Sequence, residues 1–324
     1  MKIIAKSDFD RARAAVLGAL IGDAAGATLE FIRRRPTPKE VIQALQMTGG
    51  GVWKTAPGQV TDDGELTLVL CQALAGEDAY LPNRVAQAYR RWCLSEPFDI
   101  GNATFSALSE GPPDSLSLAR IVAGNARQHN SESKANGSLM RATPLGVWST
   151  RVELETAIEA ARQDALLTHP NPSCQWSTAA YVVAIRHLMI NPDDHRGAFS
   201  AAESILCSKD AAEVYSWLKD AREGKLPEFH PHSGYVRIAF THAFHHLHQG
   251  STYIEGLSAV LSGGGDTDTN ACITGGLLGA LNGIQGLPGH MRIAVLTCDV
   301  TQGQVRPDWL QTRHLDLWIK ALLN

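Results

Sequence analysis

The chain of 324 residues is 44% hydrophobic and 19% charged, with a formal net charge of -4. That length and apolar fraction suffice to bury one large core, and the slightly acidic balance leaves no basic footprint for nucleic acid or an anionic membrane surface. Six cysteines, Cys71, Cys93, Cys174, Cys207, Cys272 and Cys298, are spread without a CxxC pair, which argues against a thiolate zinc site and for small buried apolar residues in a reducing compartment.

Helical periodicity dominates in chain order. The stretch "RARAAVLGALIGDAAGATLEF" (11–31) repeats Gly18, Gly22 and Gly26 every fourth residue, the mark of a helix whose small face admits another backbone. Segments 62–75, 82–95, 115–127, 152–167, 175–190, 197–206, 210–221, 234–249, 253–261, 268–283 and 307–323 also read as helices. Connections carry Pro and Gly, as in "RRRPTPKE", "SEGPPD", "THPNPS" and "QGLPGH". Strict alternation is almost absent, and no repeat or long flexible linker divides the chain. The expectation is all-α, one compact multi-helix domain over 1–324. The N-terminus is charged and has no apolar h-region, and the apolar runs break well short of a bilayer, so a cytoplasmic protein with no membrane span is expected.

Aspartates gather in two knots, each at the mouth of an apolar segment. In "VTDDGELTL", Thr61 stands at an N-cap position and Asp62 and Asp63 in the first turn, where capping alone could explain them. In "GGGDTDTNA", Asp266 and Asp268 alternate with Thr267 and Thr269 ahead of a helix with Ala271, Gly275 and Gly279 four apart. Two slim helices can meet and bring these mouths together. Four converging carboxylates repel one another unless cations offset them. Their charge matches two divalent ions, and oxygen-only ligands suit Mg²⁺ or Mn²⁺ rather than zinc.

Other stretches each have a bland reading beside a functional one. Asp23 and Glu30 in "GDAAGATLEF" read as capping or solvated charges. Asp99 and Asn102 in "FDIGNATFSAL" read as helix caps, and "NGSLMRATPLG" as a turn into a helix. His169 in "LTHPNP" stands at a helix end, where a cation complements the dipole. In "HAFHHLHQG", His242 and His246 share a helical face, but no HExxH glutamate accompanies them, and a mostly solvated face is expected.

Six stretches together, "GALIGDAAGATLEF", "MTGGGVWKTAPGQVTDDGELTLVL", "FDIGNATFSAL", "NGSLMRATPLG", "LTHPNP" and "GGGDTDTNACITGGLLGALNG", resemble the ADP-ribosylglycohydrolase family, in its order and over residues 15–283. The resemblance is closest to the bacterial dinitrogenase reductase-activating branch. It implies an all-helical fold around a binuclear Mg²⁺ or Mn²⁺ cleft, with Thr61, Asp62, Asp63, Asp266, Asp268 and Thr269 as ligands. It further implies that Glu30 lies over the ribose and Asp99 near the scissile bond, these two being the catalytic candidates. Asn102, Asn136, Gly137, Ser138, Met140 and His169 would contact substrate. One position departs: the family usually has Thr or Ser where this chain has Gly64, which removes a hydroxyl beside the ligands.

The implied partners are an ADP-ribosylated protein and ADP-ribose. The implied reaction is hydrolysis of ADP-ribose from protein side chains, in the first place N-linked arginine. Neutral guanidine is a strong base and a poor leaving group, so cleavage needs an acid near the bond. O-linked (serine) or small-metabolite ADP-ribosyl hydrolysis and a non-catalytic ADP-ribose-binding or immunity protein are the alternatives.

Overall fold

A computed structural model describes residues 4–324. Over that range the chain forms sixteen α-helices and five short 3-10 turns, and its β pairing amounts to two isolated bridges. In chain order the helices are α1 (Lys6–Gly26), α2 (Pro38–Leu45), α3 (Asp62–Leu74), α4 (Pro82–Cys93), α5 (Asn102–Leu108), α6 (Leu118–Asn130), α7 (Thr143–Trp148) and α8 (Leu154–Leu166). They continue as α9 (Pro172–Ile190), α10 (His195–Ser204), α11 (Ala212–Glu223), α12 (Val236–Gln249), α13 (Tyr253–Gly263), α14 (Thr267–Gly286), α15 (Gly289–Leu296) and α16 (Leu315–Leu323). The all-α expectation holds, and no helix among the described residues is long and apolar enough to cross a membrane.

The centre of the fold is the pair α1–α14. Every residue of α1 from Ala14 to Gly26 is buried, as expected of a helix apolar on all sides. A Cβ on Gly18 would fall 2.4 Å from the Gly275 carbonyl oxygen, and one on Gly22 would fall 2.0 Å from that of Ala271. These small faces therefore let the two backbones touch. Contacts descend along α14 as they ascend along α1, so the helices are antiparallel. The C-terminal end of α1 meets the N-terminal end of α14, where the Thr267 hydroxyl donates to Gly26 O at 2.8 Å.

This corrects one expectation: the slim partner of α14 is α1, not the helix behind the first aspartate knot. That helix, α3, packs mainly on α4, α7 and α1. Two helices also stand where connections were read. α2 begins in "TPKE", a capping box in which Glu40 Oε2 accepts the Thr37 N–H at 2.7 Å. α15 begins at Gly289 of "QGLPGH", with Pro288 at its N-cap position. Conversely, 307–323 is no single helix. Gln311 is extended (φ -82°, ψ 134°) between two 3-10 turns, and only Leu315–Leu323 is α-helical. Tertiary donors explain the break: Gln72 Nε2 donates to Trp309 O at 2.7 Å and draws that carbonyl away from helix pairing.

Candidate active site

The N-termini of α3 and α14 open side by side into a cleft of about 1150 Å³. Its walls include Glu30, Asp62, Asp63, Asp99, Asn102, Asn136, Gly137, Met140, His169, Asp266, Asp268 and Thr269. Residues separated by more than two hundred positions thus meet, and twelve of the fourteen site residues expected from sequence line one cavity. Thr61 and Ser138 do not. Ser138 is fully buried with its hydroxyl 3.3 Å from Thr178 Oγ1, facing α9. Thr61 is buried beneath the floor.

Asp23 explains the position of Thr61. This carboxylate of α1 is fully buried and accepts the Thr61 hydroxyl at 2.7 Å, the Thr61 N–H at 2.9 Å and the Gly64 N–H at 2.8 Å. Thr61 occupies the N-cap position of α3, yet its side chain caps nothing. Asp23 supplies the cap from another helix. The capping or solvated reading of Asp23 therefore gives way to a buried residue under the site. Its sequence signal is that it is the one charge in the otherwise uncharged stretch 14–26 of α1. Gly64 belongs to the same arrangement: a Cβ there would lie 2.5 Å from Asp23 Oδ2, so the missing side chain leaves room for the carboxylate.

Oxygen atoms of Asp23, Asp63 and Asp268 lie within 4.8 Å of one another, and so do those of Glu30, Asp99 and Asp268. Asp268 is shared, and Asp62 and Asp266 stand beside these groups on the cleft wall. Asp266 accepts the Asn136 side-chain amide at 2.8 Å. Asp63 Oδ2 accepts the Thr269 hydroxyl at 3.3 Å, while Asp63 Oδ1 is buried with no hydrogen-bond partner among the described residues. Such an orphaned buried carboxylate oxygen is costly unless something else binds it. Burial, reinforced by neighbouring carboxylates, holds Asp62, Asp63 and Asp268 well above the ordinary aspartate range. Burial also raises Asp23 to about 7, Glu30 to about 8 and Asp99 to about 6. Arg33, on the rim, is the one arginine or lysine among the lining residues. The donor set is all oxygen, uncompensated and in part unpartnered, and so fits hard divalent cations. Asp23, Asp63 and Asp268 are the residues that could hold them, and Glu30 and Asp99 face Asp268 from the open side.

The far end of the cleft is neutral. Burial lowers His169 to about 3, with the Arg141 guanidinium adding to the effect, so the expected cationic cap is an uncharged imidazole. Its ring lies against Gly137, where a Cβ would come within 2.8 Å of Cε1. The histidine cluster of α12 is elsewhere and is not solvated as expected. His242 is buried, stacks on Phe229 at 4.1 Å and donates to Pro227 O at 2.9 Å; His245 donates to Ala221 O at 2.9 Å.

The family model described as ADP-ribosylglycohydrolase matches residues 5–320. A protein of Acanthamoeba polyphaga mimivirus, assigned by name to the ADP-ribosyl glycohydrolases, is 32% identical over 90% of this chain and 92% of its own. The ADP-ribosyl-[dinitrogen reductase] glycohydrolase of Rhodospirillum rubrum is 27% identical over 86% of this chain and 88% of its own. An ADP-ribosylarginine hydrolase of Pseudomonas putida is likewise 27% identical, over 86% of this chain and 72% of its own. The match runs from α1 to α16 and takes in every helix end that shapes the cleft, and on that ground the chain belongs to the ADP-ribosylglycohydrolase family.

Proposed function

We propose that the protein is a divalent-cation-dependent hydrolase that releases ADP-ribose from modified protein side chains, with N-linked arginine as the preferred linkage. The unpartnered Asp63 Oδ1, within a buried carboxylate cluster that has no matching cation of its own, carries the metal part of this reading. The family and the arginine-hydrolase relative support the substrate part. When bound, two hard cations would supply Lewis-acid polarisation and charge neutralisation at the ribose.

The chain's own groups supply the rest. In hydrolysis a water oxygen bonds to the anomeric carbon, the carbon–nitrogen bond breaks, and the guanidine nitrogen takes a proton. Asp99 is placed for that transfer: it lines the cleft, belongs to the outer carboxylate group, and has its pKa pushed up to about 6. A carboxylic acid near that value can give up a proton at neutral pH and recover it from the attacking water. Glu30 stands opposite, near Asp268, and orients the ribose end. Asn136, Gly137, Met140 and neutral His169 line the path of the uncharged and diphosphate parts, with Asn102 on the rim of α5.

The test is release of ADP-ribose from two peptides, one modified on arginine and one on serine, at equal enzyme. Stripped protein is compared with protein given Mg²⁺ or Mn²⁺. Faster release from arginine and dependence on added cation are expected. Faster release from serine would reject the linkage, and full activity in EDTA would reject the cation.

A further inference from the structure

The two acids read as catalytic come from separate loops, and one side chain touches the first acid and the chain neighbour of the second. We propose that Trp53 is the positioning residue that sets Glu30 against Asp99. The proposal rests on the functional reading above and adds a residue to it. The indole Nε1–H donates to Glu30 Oε2 at 2.6 Å. The same ring meets Phe31, the neighbour of Glu30, edge-on at 5.9 Å, and Phe98, the neighbour of Asp99, edge-on at 5.8 Å. One aromatic thus supplies a donor to the first carboxylate and apolar contacts to the residues beside both. Trp53 is half-buried and is absent from the cleft lining, so it acts through the acids rather than on substrate.

The loop that carries Trp53 is anchored from behind. Gly50 and Thr55 pair at 2.8 and 3.0 Å across its base. Gln304 Nε2 donates to Trp53 O at 2.5 Å. Two residues on, Arg306 donates to Ser95 O at 2.8 Å and Glu96 O at 3.1 Å, the carbonyls just ahead of Phe98 and Asp99. A single short stretch, 304–306, therefore ties down both loops at their outer ends, and Trp53 joins them at the inner end. Glu30 needs such a restraint. Its oxygen lies within 4.8 Å of those of Asp99 and Asp268, and like charges there push it outward.

Trp53→Phe keeps a flat ring and removes the N–H donor. On the ADP-ribosylarginine peptide, kcat should fall about tenfold or more, the scale of a lost hydrogen bond to a charged group. KM, thermal stability and the stabilisation by added Mn²⁺ should stay near wild type. Trp53→His, which keeps a ring N–H, should recover part of kcat, and Gln304→Ala, on the anchor, should lower kcat a few-fold. Wild-type kcat in Trp53→Phe, or a change confined to KM, would overturn the proposal. Should Trp53→Phe lose thermal stability, Gln304→Ala decides in its place, and unchanged kcat there overturns it. A readout free of turnover separates this idea from the functional reading. The Trp53 indole ¹⁵N–¹H resonance should shift in Glu30→Gln. An unmoved resonance overturns the contact even if the protein cleaves, whereas a shifted resonance in a wild-type protein that cleaves neither peptide upholds the contact and overturns the functional reading.

Discussion

Asp164 and Glu65 on one side and Asp63 on the other are buried alike and opposite in design. Asp164, in the wall between α8, α4 and α7, is fully buried and fully answered: it accepts the hydroxyls of Tyr80 at 3.2 Å and Tyr89 at 2.7 Å and pairs with buried Arg141 at 3.0 Å. Glu65, one turn along α3 from the aspartate knot, is answered by Arg306 at 2.8 Å and by the Trp92 indole at 2.7 Å. Asp63, two residues before it on the same helix, has an oxygen with no partner and two other carboxylates, Asp23 and Asp268, within 4.8 Å. The fold can compensate a buried acid, and does so a few ångströms away. The cleft is left uncompensated, which is what the proposed cation binding requires. The same contrast says that the answered pair is structural: breaking it leaves a lone buried charge, whereas removing a charge from the cleft relieves repulsion.

The contrast breaks most visibly at Asp268, shared by both acidic groups. Asp268→Asn should lower turnover by roughly 10³-fold, the scale of several kcal/mol of lost charge stabilisation. It should also abolish the rise in melting temperature with Mn²⁺ while leaving the cation-free melting temperature unchanged or higher. Normal metal binding and cleavage would show that the acidic group is not the metal site. Asp164→Asn should do the reverse, costing about 3–5 kcal/mol of stability because Arg141 is left buried and unpaired, with the cation response kept in whatever fraction folds. Chemical denaturation measures this, and a near-neutral result would undo the comparison.

Asp99→Asn sharpens the distinction within the cleft. It keeps an oxygen and removes the titratable group, so turnover should drop by at least about a hundredfold, with cation binding and melting temperature close to wild type. Wild-type turnover would move the search for the acid to Glu30.

The linkage between pH and stability follows from the raised carboxyls. Their folded pKa values, about 6 for Asp99, about 7 for Asp23 and about 8 for Glu30, lie above the unfolded values of 3.8 and 4.5. The folded state therefore holds more protons, so the stability these groups contribute is complete at low pH and lost as pH rises through that range. Melting temperature in EDTA should fall between about pH 5 and pH 8, and saturating Mn²⁺ should flatten the slope, since cations replace the protons. A flat profile in EDTA would contradict the uncompensated cluster. The smallest effect is expected far from it: His242→Gln with His246→Gln should change turnover only a few-fold, because His242 packs on Phe229 and bonds Pro227 O and His246 meets Ser251, rather than a metal. A loss of several hundredfold in a folded protein would reject that reading.

Much of this was legible in the chain. Glycine every fourth residue in α1 and α14 announced close-packed helices, and "TDD" and "DTD" ahead of apolar runs announced two acidic helix mouths; these are local patterns, and local rules read them. The capping box "TPKE" is equally local, but the two prolines around it read as a connection. Asp23, Ser138 and Trp53 were different. Asp23 looked like a stray charge until α3 was placed over it, and Ser138 turned to α9 although its neighbours Gly137 and Met140 face the cleft. Nothing near Trp53 in the chain shows that its N–H reaches Glu30. Helix formation, small faces and the stock of carboxylates follow from spacing and side-chain size, which the sequence determines by itself. Which helix α14 lies against, which acids are answered and which are left open depend on contacts between residues more than two hundred positions apart. Burial turns those contacts into large energies, so only the tertiary structure could decide them.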